Sequence, residues 1–256
     1  MFPSIFFLCF ALFFPILAQE REGSTKELYS TGIAFLRAND YEKALSCFEG
    51  AVKKDPRYAE ANFQIGYCNI NLGHYQKAID AYKQAIRIKP DLAEAHYNLG
   101  DVYLNLGRYQ EALKPFQQAI HIKPDLAEAY FNLGMTYFYL DTNQLILDLL
   151  DNGTHGKPGR YQEAIDAFKQ ALSLKPDLAE AYCGLGLVYA NLEHYQEAIN
   201  AFKQAVSLKP DLAEAHYKMG LAYIWLDNKT SALEEYKILK DLDKDLADKL
   251  FNLIKK

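Results

Sequence analysis

A heptapeptide, KPDLAEA, occurs four times in this chain, beginning at Lys89, Lys123, Lys175 and Lys209. The first two copies start 34 residues apart, as do the last two, and the middle interval of 52 is one period plus 18. A fixed period of this size makes each unit one supersecondary element that cannot bury its apolar face alone, so neighbours must stack. Extended over the chain, the period gives six units: 25–58, 59–92, 93–126, 127–178, 179–212 and 213–246. The fourth carries the 18 extra residues as an insertion at 141–158. A short linker, 19–24, precedes the units, and 247–256, with Leu250, Phe251, Leu253 and Ile254 among charges, is expected to be a capping helix.

Each unit reads as two amphipathic helices, because apolar residues recur at spacings of three and four through two segments. Position 8 is always Gly (Gly32, Gly66, Gly100, Gly134, Gly186, Gly220) and position 20 always Ala (Ala44, Ala78, Ala112, Ala164, Ala198, Ala232). These smallest residues let two helices approach closely. Position 24 is always aromatic (Phe48, Tyr82, Phe116, Phe168, Phe202, Tyr236) and should fill the space beside them. Position 32 is Pro in five units and Lys244 in the last, and proline forbids the second helix from continuing.

This pattern resembles the tetratricopeptide repeat, and the likeness covers residues 25–246. The family's Trp at position 4 is replaced by Leu28, Asn62, His96, Tyr130, Tyr182 and His216. The resemblance implies an all-α fold, a right-handed α-solenoid of tetratricopeptide helix pairs. It also implies a non-catalytic scaffold for protein–protein interaction, with positions 2, 5, 6, 9, 12 and 13 of each first helix lining a groove; the alternatives are a membrane-tethered assembly factor or the regulatory subunit of an enzyme. In units two to four those rows supply Glu60, Glu94 and Glu128, the rings Phe63, Tyr97 and Phe131, and the amides Gln64, Asn98 and Asn132. Position 9 adds Tyr67, Asp101 and Met135. Rigid aromatics beside amides suit an extended peptide, and the glutamates would select a segment carrying basic with apolar residues. The competing reading is that the position 5 rings pack between repeats. Some family members clamp the acidic tails of chaperones with cations. Here the corresponding places hold Tyr29, Ile33, Gln64, Glu94 and Asn98, so chaperone C-terminal tails are not expected as partners.

The remaining chemistry is sparse. No HExxH, Cys/His cluster, phosphate-binding loop or GxSxG occurs, so no enzyme activity, metal or cofactor is expected. A net charge of -5 argues against nucleic acid, which requires a basic face. Cys47, Cys68 and Cys183 read as small buried thiols. Asn152-Gly153-Thr154 and Asn228-Lys229-Thr230 match the glycosylation acceptor, a weak signal. In the insertion, Leu145, Ile146, Leu149 and Leu150 lie at helical spacing and Asn152-Gly153 reads as a stop. That segment is either a helix projecting toward a partner or one laying its leucines on the scaffold. Pro115 falls inside a second helix and is expected to kink it on the outer face.

Residues 1–18 stand apart: Ile5–Phe14 is nearly continuous Phe, Leu and Ile, and the charged stretch from Gln19 follows Ala18. This is the pattern of a secretory signal peptide cleaved after Ala18, which makes the protein exported, secreted or periplasmic. The alternative is an uncleaved membrane anchor over the same residues, for which the run is short and interrupted by Pro15.

Overall fold

The computed structural model describes residues 24–150 and 159–255, with side chains described outside 144–150. The regular elements of the described residues are thirteen α-helices, with no strand among them. The first helices of the repeats are α1 (Thr25–Arg37), α3 (Ala59–Asn71), α5 (Ala93–Asn105), α7 (Ala127–Leu150), α9 (Ala179–Asn191) and α11 (Ala213–Trp225). The second helices are α2 (Tyr41–Lys54), α4 (Tyr75–Ile88), α6 (Tyr109–Ile122), α8 (Tyr161–Leu174), α10 (Tyr195–Leu208) and α12 (Lys229–Leu242). A last helix, α13 (Lys244–Ile254), follows. The all-α fold of paired helices expected from the repeat is therefore present. The apolar segment 1–18, the Asn152-Gly153 stop and the first glycosylation sequon lie outside the described residues.

The helices stop where backbone chemistry makes them stop. Each second helix of the first five repeats ends one residue before a Lys or Asp that precedes proline. That residue is extended, as at Lys123 (φ -131°, ψ 87°) and Lys209 (φ -133°, ψ 90°), because the proline ring excludes helical geometry before it. Most first helices end at a left-handed residue in position 15: Asn39, Gly73, Gly107, Glu193 and Asp227. In the fourth repeat the insertion moves that position to Gly159. With no break at its usual place, α7 runs on to Leu150. The first ten inserted residues thus continue the first helix instead of forming a separate one. Asp141, 5% exposed, accepts a hydrogen bond from the Arg160 N–H at 2.7 Å and so ties the two ends of the insertion together.

The chain forms two compact units, Met1–Pro90 with α1–α4 and Asp91–Lys256 with α5–α13. In both, the interior is built from the invariant positions. All six alanines at position 20 are fully buried, as are Phe48, Tyr82, Phe116, Phe168 and Phe202 at position 24. Burying a ring of this kind contributes about 2–3 kcal/mol. A Cβ added at Gly134 would lie 2.8 Å from the Phe168 ring, and one at Gly66 2.5 Å from Tyr82. Glycine at position 8 is thus required by the aromatic of its own repeat.

The last repeat solves the same problem differently. A Cβ at Gly220 would meet Leu250 of α13 at 2.6 Å, while Tyr236 turns to stack on Phe251 with centroids 4.7 Å apart. The cap leucine takes the place of the ring. This helix begins at Lys244, three residues before the expected boundary. Lys244 replaces the proline of position 32, and the Asp243 side chain caps the new helix by accepting from the Leu246 N–H at 3.0 Å.

Pro115 corrects an expectation. It is buried, not on an outer face, and α6 is continuous around it. The same position is Ala81, Ala167 and Ala201 in other repeats, all buried, so this face of the second helix is packed in those repeats too.

Candidate functional site

In the second unit α5 touches α7, and α7 touches α9, so first helices of successive repeats are neighbours. Between them lies a cavity of about 530 Å³. Five of the sequence-predicted groove residues line it: Tyr97 and Asp101 from α5, and Glu128, Phe131 and Asn132 from α7. Lys175, Asp177, Leu178, Glu180 and Lys209 complete the wall.

Asp101 is the chemical centre of this cavity. Its carboxylate is half-buried and accepts from the Asn105 side-chain amide at 3.0 Å and from that of Asn132 at 3.2 Å. Burial raises its pKa above the ordinary value, and these two hydrogen bonds oppose the rise only in part. Neither partner is a cation. Asn132 is buried, and its Nδ2 also donates to the Tyr97 hydroxyl at 3.2 Å. Burial, with Asp101 nearby, pushes the Tyr97 phenol up to about 12, so it stays protonated.

The charges on the rim are arranged in pairs. Lys175 reaches Glu128 at 3.3 Å, and Lys209 forms an ion pair with Glu180. Both glutamates sit at the N-terminus of their helix and are held below the usual carboxylate range, Glu128 chiefly by its own backbone N–H with Lys175 assisting, Glu180 chiefly by Lys209 with its own backbone N–H assisting. The same pairing, position 2 to position 31, joins Glu60 to Lys89 at 3.1 Å in the first unit. The expectation that this glutamate row presents free negative charge is therefore corrected: Glu60 and Glu128 are matched by lysines of the KPDLAEA turns. Glu94 is exposed on α5, and among the described residues the carboxylates of the cavity without a lysine partner are Asp101 and Asp177.

The aromatic row also differs from a set of free anchors. Tyr97 lies 6.0 Å from Phe116, Phe131 5.9 Å from Phe168 and Phe63 5.7 Å from Tyr82, each packed on position 24 of its own repeat. Of these rings, Tyr97 and Phe131 also line the cavity, so they serve the core and the cavity at once. The amide row is likewise divided. Asn132 has both Nδ2 hydrogens committed within the fold, whereas the half-buried Asn98 has no such partner among the described residues. Met135 packs against the core around Phe168. Phe63, Gln64, Glu60 and Tyr67 stand on α3 in the first unit, Tyr67 41% exposed and 6.4 Å from Tyr41.

Sequence reasoning missed Lys175, Asp177 and Lys209. The signal was present in the recurring KPDLAEA, whose Lys and Glu pair through the fold rather than along the chain. Other polar candidates are structural. Cys68 is buried, and burial lifts the Cys68 and Cys183 thiols to about 11, so both are inert at neutral pH. Asn228 of the second sequon caps α12, accepting from the Ser231 N–H at 3.1 Å.

Comparison with known proteins agrees with the fold of repeated helix pairs. A "TPR repeat" family model matches residues 69–107, 100–140, 157–193 and 192–224. A second, "Tetratricopeptide repeat", matches 28–58 and 214–246. No curated protein sequence matches the chain. Among solved structures the chain is similar to MamA, at 27% identity and TM-score 0.62 over 74% of this chain and 94% of that one. It shares its fold with YrrB, described as "a TPR protein with an unusual peptide-binding site" (23% identity, TM-score 0.63, 78% and 94% covered). It also shares it with PilW, a "type IV pilus biogenesis factor" (22%, TM-score 0.66, 85% and 92% covered). The 34-residue period, the glycine–aromatic contacts and the family models agree: the chain belongs to the tetratricopeptide-repeat family.

Proposed function

We propose that this protein is a non-catalytic interaction scaffold that takes an extended segment of a partner protein into the cavity between α5, α7 and α9. The observation that carries this reading is Asp101. A half-buried carboxylate held only by neutral amides is costly to keep charged, and a cation from outside would relieve that cost. The exposed edges of Tyr97 and Phe131 supply apolar contact beside it. The preferred segment therefore carries a lysine or arginine next to apolar residues. From residues 1–18 we place the scaffold in an exported compartment. A mature N-terminus at Gln19 supports that placement, and a chain retaining Met1 overturns it.

The test uses a fluorescein-labelled peptide of alternating lysine and leucine, titrated into the protein and its Asp101→Asn variant. The variant should bind about tenfold or more weakly, the effect of losing a partly desolvated charge pair. Its melting temperature should not fall, because burial already disfavours the charge. Equal affinity for both proteins overturns the assignment.

A further inference from the structure

A second cavity, of about 340 Å³, lies between the C-terminal ends of α9 and α11. Leu187, Leu221 and Ala222 are among the residues lining it, with Glu193, Tyr195, Lys218 and Trp225. Trp225 is 71% exposed, far more than any other large apolar residue described. Tyr195 stacks on it, with centroids 5.9 Å apart and planes 5° from parallel. This gives a preformed aromatic platform.

Glu193 is the unusual element. It occupies position 15, where the chain turns left-handed after a first helix. Glycine stands there at Gly73 (φ 75°) and Gly107 (φ 70°), and the tolerant Asn39 (φ 57°) and Asp227 (φ 54°) at two more. Glu193 adopts φ 61°. A glutamate has a Cβ penalty in this region and lacks the short side chain that lets Asn and Asp bond locally. Among the described residues its carboxylate has no hydrogen bond or ion pair. Such a costly choice without local compensation points to a role outside the fold. Lys218, the cation lining the cavity, is directed to Glu214 at 3.3 Å on its own helix, so Glu193 supplies the free charge of the site.

We infer that this cavity is a docking site for an arginine in an extended segment of a partner protein. The guanidinium stacks on Trp225 and pairs with Glu193, while the methylene stem lies along Leu187 and Leu221. Arginine fits better than lysine because its planar group lies flat on an indole and sheds water more easily. The site rests on its own residues and stands independently of the cavity at Asp101.

Trp225 is the chain's single tryptophan, so its emission reports on this site. A fluorescein-free nine-residue peptide of alternating arginine and leucine, titrated into the full chain, should change that emission saturably. Glu193→Gln should weaken the response about tenfold, within the range for a cation held by an aromatic face and a carboxylate. Glu193→Gly should weaken it as much and raise the melting temperature, because glycine takes the left-handed turn without strain. Gain of stability with loss of binding is the signature of a residue kept for its ligand. A glutamine-for-arginine peptide that binds equally well would show an apolar groove alone and overturn the proposal. So would calorimetric binding of the arginine peptide without an emission change, or Glu193 variants that bind as the parent does.

Discussion

The His216 Nδ1 lies 2.7 Å from a Glu235 carboxylate oxygen, and its other ring nitrogen lies 3.1 Å from the Pro210 carbonyl. Both side chains are buried. Two acceptors facing two ring nitrogens favour the doubly protonated imidazolium. The Glu235 hydrogen bond therefore raises the His216 pKa, with the Pro210 carbonyl assisting and burial opposing. A raised folded-state value means the stabilisation is fully present below the unfolded value, near about 6.5, and is lost as pH rises through the folded value. Thermal melts from about pH 6 to about pH 9 should show a declining melting temperature, and His216→Gln should flatten that decline. An identical slope in both proteins refutes the assignment.

The Phe168 ring is held between two glycines. A Cβ on Gly134 would approach it at 2.8 Å and one on Gly184, from the next repeat, at 2.5 Å. The ring is fully buried and has no free end to move. Gly184→Ala should therefore destabilise the protein by about 1–3 kcal/mol in denaturant titrations, the cost of overpacking a filled core. Gly73→Ala provides a contrast. Nothing lies within 4 Å of its Cβ, so its cost should come only from the left-handed backbone, at φ 75°.

These contacts show what the sequence could and could not convey. Period, helix pairing and the roles of positions 8, 20, 24 and 32 were legible, because each follows from one residue's size or backbone. Gly184 was not. It stands at position 6, a groove position by resemblance, yet its neighbour is Phe168 of the preceding repeat. The pairing of Glu128 with Lys175, 47 residues apart, was also hidden, because the insertion stretches a spacing that is 29 in Glu180 and Lys209. The extension of α7 was hidden for a different reason. It depends on a missing left-handed break, which periodicity does not register.

Tyr97 serves both packing and groove, and two variants separate these. Tyr97→Ala removes the contact with Phe116 and should cost about 2 kcal/mol of stability, less than a full core deletion because the ring is half-buried. Tyr97→Phe keeps the ring but removes the hydroxyl that accepts from Asn132. It should leave the melting temperature nearly unchanged while altering affinity for the lysine–leucine peptide. A Tyr97→Phe protein that loses as much stability as the alanine variant contradicts this division.

The paired rim makes a specific kinetic prediction. Lys175 and Glu128 are both about half exposed, so their ion pair contributes at most about 1 kcal/mol to stability. Its larger effect is on the field of the cavity, where Lys175 offsets one of the carboxylates around Asp101. Lys175→Gln removes that offset without adding bulk. A basic peptide should then associate faster, by a few fold at low salt, and the gain should shrink as salt screens the cavity. Dissociation should change little, since Lys175 is not the group that holds the cation. Stopped-flow association rates at two ionic strengths decide the matter. A slower association after Lys175→Gln would show that the lysine contacts the ligand itself, and that the partner segment presents a carboxylate there.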